Sequence, residues 1–498
     1  MSKTRILFLL LFALLMAARL CHVEILWAEE TLPLAAAQQM RAGKVLYRDV
    51  WFDKPPVAPL LYTALGGDAG WPLRVAGGLY ALLCCWIAFG FARDLWGERE
   101  GRWAAGLLGF FLIFDFPSSA IPLAADLLML APHMAAVWMA WKRRPLWAGA
   151  LAGVAFAVSP KGLFVLAVCA WWAPAPALLA GFAAVTGMAS AWLWGAGALA
   201  GYWDEVWRWG RVYAGTTFVE DPVRNGVMRT LNWAGFHAGL VIAALLGWKE
   251  LRGKRAWLGW LGISLLGAAA GLRFFPRYYF QLLPAVVLLA ARGFALALPL
   301  STQPQSGRPQ SARSQSAPIQ SARPQSAIQS EPRPSGSGWR RYLLFALLLI
   351  PFVRFAPNYY VAARGGEWRD TAMDRDSRAA AAILRGVAHA GDTLFVWGYR
   401  PEIYVYSHLP AASRFLDSQP LTGVPADRHL TQSVPVETAE ARTHRAELAR
   451  TQPAFVVDGL GVYNPHLAIA TFTDLSAWMA SYREVARSGQ SVVYQRVR

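Results

Sequence analysis

The sequence predicts a mainly α-helical, polytopic membrane protein with a C-terminal soluble α/β domain. Three observations carry this. Long apolar runs recur through the first 300 residues, several near the ~20 residues that cross a bilayer as a helix. Basic residues gather in the short segments between the runs, the pattern that fixes membrane orientation. After about residue 358 the chain turns polar and alternates strand-like with helix-like stretches. Composition agrees. Hydrophobic residues make up 55% of the 498 and charged residues 16%. Ordinary soluble domains carry roughly 25% charged residues. Mean hydropathy is +0.30. Wholesale disorder, a coiled coil and a disulfide-stapled secreted scaffold are excluded.

The formal charge is +17, from 48 Lys and Arg against 31 Asp and Glu. A basic balance can mark nucleic-acid binding. Here much of the excess lies in loops between apolar runs, so it is assigned to topology and no nucleic acid is expected as a partner. The four cysteines, Cys21, Cys84, Cys85 and Cys169, lie in or beside apolar runs without metal-ligand spacing. They read as packing residues, with no structural disulfide.

Met1–Arg5 is short and basic, and an apolar run follows from Ile6 to about Leu20. A cleaved signal peptide would share these features. The run ends in Arg19 and His22 without a small-x-small site, so it reads as a retained first span. Further runs cover about 75–92, 103–116, 125–141, 146–158, 162–173, 176–199, 232–248, 257–272, 279–298 and 342–356. Together they predict about eleven spans. Basic clusters lie at Lys3/Arg5, Arg93–Arg102, Lys142–Arg144, Lys249–Arg255 and Arg308–Arg341. If all are cytoplasmic, each interval must hold an even number of spans, and the runs supply two, two, four and two. This requires that 57–70 not span, and that 146–173 be a hairpin broken at Ser159-Pro160-Lys161-Gly162.

The expected organisation follows. Residues 1–300 form a membrane domain with its first outer loop at 22–74. Residues 301–341 form a disordered cytoplasmic linker, since Pro, Ser, Gln and Arg cannot build a core. Residues 342–357 form the last span, and 358–498 a soluble domain outside the cytoplasm. Within that domain Asp374–Ala390 predicts a helix. Strands are predicted at Thr393–Trp397, Ala454–Val457 and Ser491–Tyr494, with helices at 436–450 and 474–486.

This topology sorts charged residues onto one face. Glu29 and Glu30 follow the first span; they are either solvated boundary acids or hold a general base for an acceptor hydroxyl. Asp126 opens another span, as an N-cap or a functional acid. Lys54-Pro55-Pro56 holds a cation in a stiffened turn. Arg273 and Arg277 bracket Pro276; they are interfacial anchors with Tyr278 and Tyr279, or a fork for phosphate oxygens. Lys161, in the broken hairpin, can also face phosphate. The sequence has no P-loop, no Rossmann fingerprint, no HExxH and no nucleophile elbow. A donor arriving through the membrane fits better than a soluble nucleotide sugar.

The order of these residues resembles the GT-C glycosyltransferases. It runs from an acidic pair after the first span to GKVLYRDVWFDKPP (43–56), an Asp before the fourth span, and RFFPRYYFQLLP (273–284). The nearest likeness is to bacterial members of the protein O-mannosyltransferase and aminoarabinose transferase superfamily, over about residues 1–300. The stretch GDTLFVWGYRPEIYVYS (391–407) is similar to the extracytoplasmic domains of some bacterial members. The resemblance implies an inverting transferase in the bacterial cytoplasmic membrane, with its N-terminus cytoplasmic. It would move a sugar from a polyprenyl phosphate to an acceptor at the outer face, the acceptor being protein, lipid or glycan. Membrane lipids would surround it.

The family's acidic pair maps onto Glu29 and Glu30, with Glu29 where an Asp is usual. That departure leaves open which of the two is the base. The second acid maps onto Asp126. Lys54, Arg273, Arg277 and Lys161 would face the donor phosphate. Tyr47, Arg48, Asp49, Tyr278 and Tyr279 would belong to the substrate loops. No cofactor is required, although Glu30 and Asp126 leave room for a divalent ion. Two other classes remain: a lipid-linked-sugar flippase, and a scaffold without catalysis. No internal repeat of the kind common in transporters is present.

Overall fold

In the computed structural model, residues 1–216, 221–298 and 338–497 are described. The predicted linker lies outside them, apart from its last residues, which open the Gly338–Ala363 helix.

The first 300 residues fold as a helical bundle. Ser2 caps the Lys3–Leu20 helix by accepting from the Arg5 amide at 3.3 Å. Leu11 and Leu15 are buried, whereas Leu9, Leu10 and Leu14 stay more than half exposed. Trp194, Met188 and Val353 are likewise 76%, 68% and 65% exposed. Apolar faces this extensive need a lipid partner, so the chain is a membrane protein. Small residues bring helices together. A Cβ on Gly149 would lie 1.8 Å from the Leu178 carbonyl oxygen, and one on Gly181 would lie 2.0 Å from that of Leu146. Helices Pro145–Val158 and Pro176–Gly195 therefore touch through their backbones.

Three helices among the described residues are long and apolar enough to cross a membrane: Trp71–Trp96, Pro176–Gly195 and Tyr342–Ala363. Helices Pro145–Val158, Gly162–Trp172 and Leu283–Ala297 are apolar but shorter. Helix length thus supports fewer straight spans than the apolar runs suggest. The hairpin break at 159–161 is observed. Residues 57–70 hold only the eight-residue helix Val57–Ala64.

The predicted span at 232–248 is not one straight helix. It contains the junction of Pro222–Phe236 with Ala238–Lys249, bent by 88° at His237. Together the two helices are long and apolar enough for one broken span, and Pro222–Phe236 carries Arg224, Asn225, Arg229 and Asn232. Residues 201–230, between two apolar runs, hold in their described part a wide π-turn at Trp203–Arg208, the Trp209–Gly215 helix and the start of Pro222–Phe236.

The C-terminal domain is a four-stranded sheet with helices against it. Its strands are β1 (Leu394–Trp397), β2 (Phe455–Asp458), β3 (Tyr482–Ser488) and β4 (Ser491–Arg496), in spatial order β1-β2-β4-β3. β1 and β2 run parallel, and β4 is antiparallel to both its neighbours. The helix Ala372–Val387 buries Ala380, Ala381 and Leu384. The predicted helix at 474–486 is split. A 3-10 turn at Thr473–Leu475 and the helix Ser476–Met479 cover its first part, and from Tyr482 it becomes β3, because Gly489-Gln490 turns β3 back onto β4 as a hairpin.

This domain is bolted to the bundle end that carries the 22–70 segment. The Trp51 amide donates to the Arg414 carbonyl at 2.9 Å, and the Leu26 amide to Asp374 at 3.0 Å. Arg414 pairs with Glu205. The candidate site lies where the two parts meet.

Candidate active site

Glu29 and Glu30 occupy the first turn of the Ala28–Arg41 helix. Neighbouring helical residues point about 100° apart, and the two acids separate accordingly. Glu30 is fully buried and meets Arg74 through two contacts of 2.7 and 2.9 Å. It also accepts from the Trp27 amide at 2.9 Å. Arg74 in turn donates to the His22 and Ile25 carbonyls. Glu30 is a staple that closes the helix start against Trp71–Trp96. Both its oxygens are engaged by Arg74, and Oε1 also by the Trp27 amide. No group of three metal-ligating side chains occurs among the described residues.

Glu29 turns the other way. The Arg277 Nη1 lies 2.9 Å from its Oε1, and the Arg277 Nε lies 3.6 Å from Asp126 Oδ2. One guanidinium therefore joins the two acids that the sequence left 97 positions apart. Asp126 sits inside the first turn of Ala125–Trp141, where Ala124 is the N-cap, so the capping role is not taken. The charges acting on Asp126 are those of Lys161, Arg277, Glu29 and Lys54. These five side chains form one cluster. Glu29, Asp126 and Arg277 retain 15–25% side-chain exposure, and Lys54 39%.

Each cation is placed by local structure. Tyr47 adopts a left-handed backbone (φ 66°), is buried, and donates its hydroxyl to the Lys54 carbonyl at 2.7 Å. It positions Lys54. Lys54 Nζ lies 3.3 Å from Asp53. Burial alone would lower the Lys54 pKa, but Asp53 and Glu29 outweigh it and hold it above the usual lysine range. Lys161 follows Pro160 in the hairpin break, with Nζ 3.1 Å from the Tyr278 ring centre and no hydrogen-bond acceptor. A Cβ on Gly162 would lie 2.2 Å from the Phe156 amide nitrogen, which reserves this turn for glycine.

Four predicted residues stand elsewhere. Arg273 is buried and held by Asp427 at 2.5 Å and by the Thr216 and Gly271 carbonyls at 3.1 and 3.3 Å. It latches the C-terminal domain to the bundle, and its phosphate-binding assignment is corrected. Leu272 and Phe274 on either side are left-handed (φ 56° and 51°), a conformation costing about 1–2 kcal/mol per residue. Arg48 and Asp49 pair with each other at 2.8 Å on the surface. Tyr279 stacks on Trp233 at 5.3 Å and hydrogen-bonds Thr230, whereas Tyr278 meets the Tyr213 hydroxyl at 3.3 Å beside the cluster.

The sequence reading missed two residues that the C-terminal domain contributes. Tyr399 follows Gly398 (φ 107°) at the end of β1 and lies within the fields of Lys54, Glu29 and Asp53. Burial pushes its hydroxyl above the usual range, so it stays protonated. The stretch 391–407 stood out in the sequence, but nothing there says which loop it covers. Asp417 is fully buried, and burial pushes its carboxyl up to about 7, with Asp53 adding to the rise. It accepts from the Gln419 amide at 2.7 Å.

Asp417 gives a pH signature. Its charged form is disfavoured in the folded state, so stability is lost as pH rises from the unfolded carboxyl value, ~3.9, through about 7. Asp417→Asn keeps the bond from the Gln419 amide and removes the charge. Its gain over the wild type should be absent near pH 4 and full above pH 7 in thermal unfolding. A constant difference across that range would contradict the assignment.

An apolar cleft of about 910 Å³ begins at Pro56, two positions after Lys54, and is walled by Phe156, Leu193, Trp194, Trp203 and Trp207.

Two solved structures of ArnT from Cupriavidus metallidurans match almost the whole chain. The one bound to undecaprenyl phosphate gives a TM-score of 0.58 at 14% identity, covering 100% of this chain and 99% of that one. The apo structure gives 0.58 at 15% identity, covering 99% and 97%. The chain has the ArnT fold. The GT-C resemblance read from residues 1–300 is borne out as a likeness of fold, and the match to ArnT continues through the C-terminal domain. No protein-family model and no curated protein matches the sequence.

Proposed function

We propose that the chain is an integral-membrane, inverting glycosyltransferase that moves a sugar from a polyprenyl-phosphate donor to an acceptor hydroxyl. The observation that carries this is the sharing of Arg277 by Glu29 and Asp126, beside Lys54 and Lys161. The cations suit a phosphate. The apolar cleft that Pro56 helps to line, two positions after Lys54, is of a size that suits an isoprenoid tail. The ArnT structure that matches was solved with undecaprenyl phosphate bound.

The chemistry follows from the charges. An arriving donor phosphate competes for Arg277 and frees the Glu29 carboxylate. Glu29 takes the proton of the acceptor hydroxyl as its oxygen attacks the anomeric carbon. The bond from that carbon to the phosphate oxygen breaks, and its electron pair leaves on polyprenyl phosphate. Arg277, Lys54 and Lys161 stabilise the charge that gathers there. Asp126 orients the acceptor. The Tyr399 hydroxyl, within the fields of Lys54 and Glu29, donates to the phosphate or sugar. The step uses no metal, since three cations already serve the leaving group. Release of polyprenyl phosphate from a synthetic donor by the purified protein tests the proposal.

We place the reaction at the outer face of the cytoplasmic membrane, with the N-terminus inside and residues 358–498 outside. Parity of the basic loops supports this. Single cysteines at 310 and 430 should label from opposite sides of the membrane. Labelling from one side would contradict it.

A further inference from the structure

A second cleft, of about 500 Å³, opens behind the RFFPRYY motif. Pro276 and Tyr279 line it, while Arg277 and Tyr278 belong to the charged cluster. Its walls are aromatic: Phe116, Trp233, Phe236 and Phe274. Its polar groups are Asp115, Asn232, His237, Arg229 and Arg354. His237 is 2% exposed and sits at the 88° bend. Its Nδ1 lies 2.9 Å from the Trp233 carbonyl, so that nitrogen carries a proton. Its Nε2 is 3.3 Å from Asp115 Oδ2 but lacks hydrogen-bond geometry, which leaves it unpartnered. The other Asp115 oxygen accepts from the Phe116 amide at 2.7 Å.

The cleft therefore holds one carboxylate, already engaged, against two guanidiniums. Among the described residues neither arginine has a carboxylate partner. Arg229 reaches only Asn225, at 3.4 Å. Arg354 lies over the faces of Phe116, Phe355 and Phe236, at 5.3, 5.6 and 5.8 Å. It also stands on the candidate span Tyr342–Ala363, next to Val353 and near Phe352 and Ile350, which are 65%, 44% and 42% exposed. A guanidinium beside an apolar, lipid-facing surface calls for an anion in the same place.

We propose that this cleft binds the phosphate headgroup of an anionic membrane lipid. The forked guanidiniums of Arg229 and Arg354 pair with phosphate oxygens. The Asn232 amide adds a donor, and the apolar face around Ile350 and Phe352 takes the acyl chains. Free phosphate would share the headgroup contacts but not these. The site stands apart from Glu29, Asp126 and Lys54, so it holds whether or not the protein transfers a sugar.

The test is native mass spectrometry of the full chain released from micelles of mixed phosphatidylglycerol and phosphatidylcholine. The wild type should retain one phosphatidylglycerol molecule preferentially. Arg229→Gln with Arg354→Gln should weaken that retention roughly ten- to thirtyfold. Arg229→Lys with Arg354→Lys should keep part of it. Arg252→Gln with Lys254→Gln, in a different loop, should leave it unchanged. Equal retention of the two lipids, or an unchanged preference in the Gln pair, would overturn the proposal. Competition by millimolar inorganic phosphate alone, measured on the wild type, would make it a free-anion site and overturn the lipid assignment.

Discussion

Glu29→Gln should lower sugar transfer by about 10²–10⁴-fold while leaving donor affinity within about twofold. Gln matches Glu in size and polarity but cannot take a proton. Its amide can still face Arg277, whose guanidinium lies 2.9 Å from the native carboxylate. Donor binding is preserved because the cations that meet the phosphate are untouched. Arg277→Lys should show the reverse. An ammonium cannot span Glu29 and Asp126 as the planar guanidinium does, nor pair two phosphate oxygens at once. Donor affinity should fall, and the rate at saturating donor should fall less. Measuring binding and single-turnover transfer separately resolves the two patterns. Near-normal transfer by Glu29→Gln would remove the general-base role.

Removing either partner of the Glu30–Arg74 pair should destabilise the protein by about 3–5 kcal/mol. Both side chains are at most 1% exposed, so the survivor would be left charged, buried and unpaired. Arg74 also holds the His22 and Ile25 carbonyls, which fixes the path of the chain into the Ala28–Arg41 helix. Glu30→Leu with Arg74→Met should cost less than the sum of the two single changes, because no lone charge remains. Thermal unfolding in detergent reads this. Glu30→Gln molecules that fold should transfer sugar at close to the wild-type rate. A stable Glu30→Gln protein without transfer would exchange the roles of the two acids.

Much of this site was legible because its chemistry requires rare residues in an apolar chain. Glu29, Lys54, Asp126, Lys161 and Arg277 are charges at the ends of uncharged runs, and the structure joins all five. Separating Glu29 from Glu30 needed the helix turn between them and a partner, Arg74, hidden in an apolar helix. Arg273 could not be told from a phosphate ligand, since its partner Asp427 lies in another domain. Tyr399 and Asp417 escaped for the same reason. Local pattern misled where a neighbour decides. Residues 482–488 become a strand because β4 pairs with them, and the run at 232–248 hides a bend at His237. The short helices show why counting apolar runs is a weak guide to spans.

The most direct measurement places the purified protein in liposomes with a synthetic polyprenyl-phosphate sugar and follows both donor products. Free polyprenyl phosphate should accumulate with the wild type, and the Glu29→Gln protein should bind the donor without cleaving it. Movement of intact donor from one leaflet to the other, with no polyprenyl phosphate released, would contradict it and make the protein a lipid transporter.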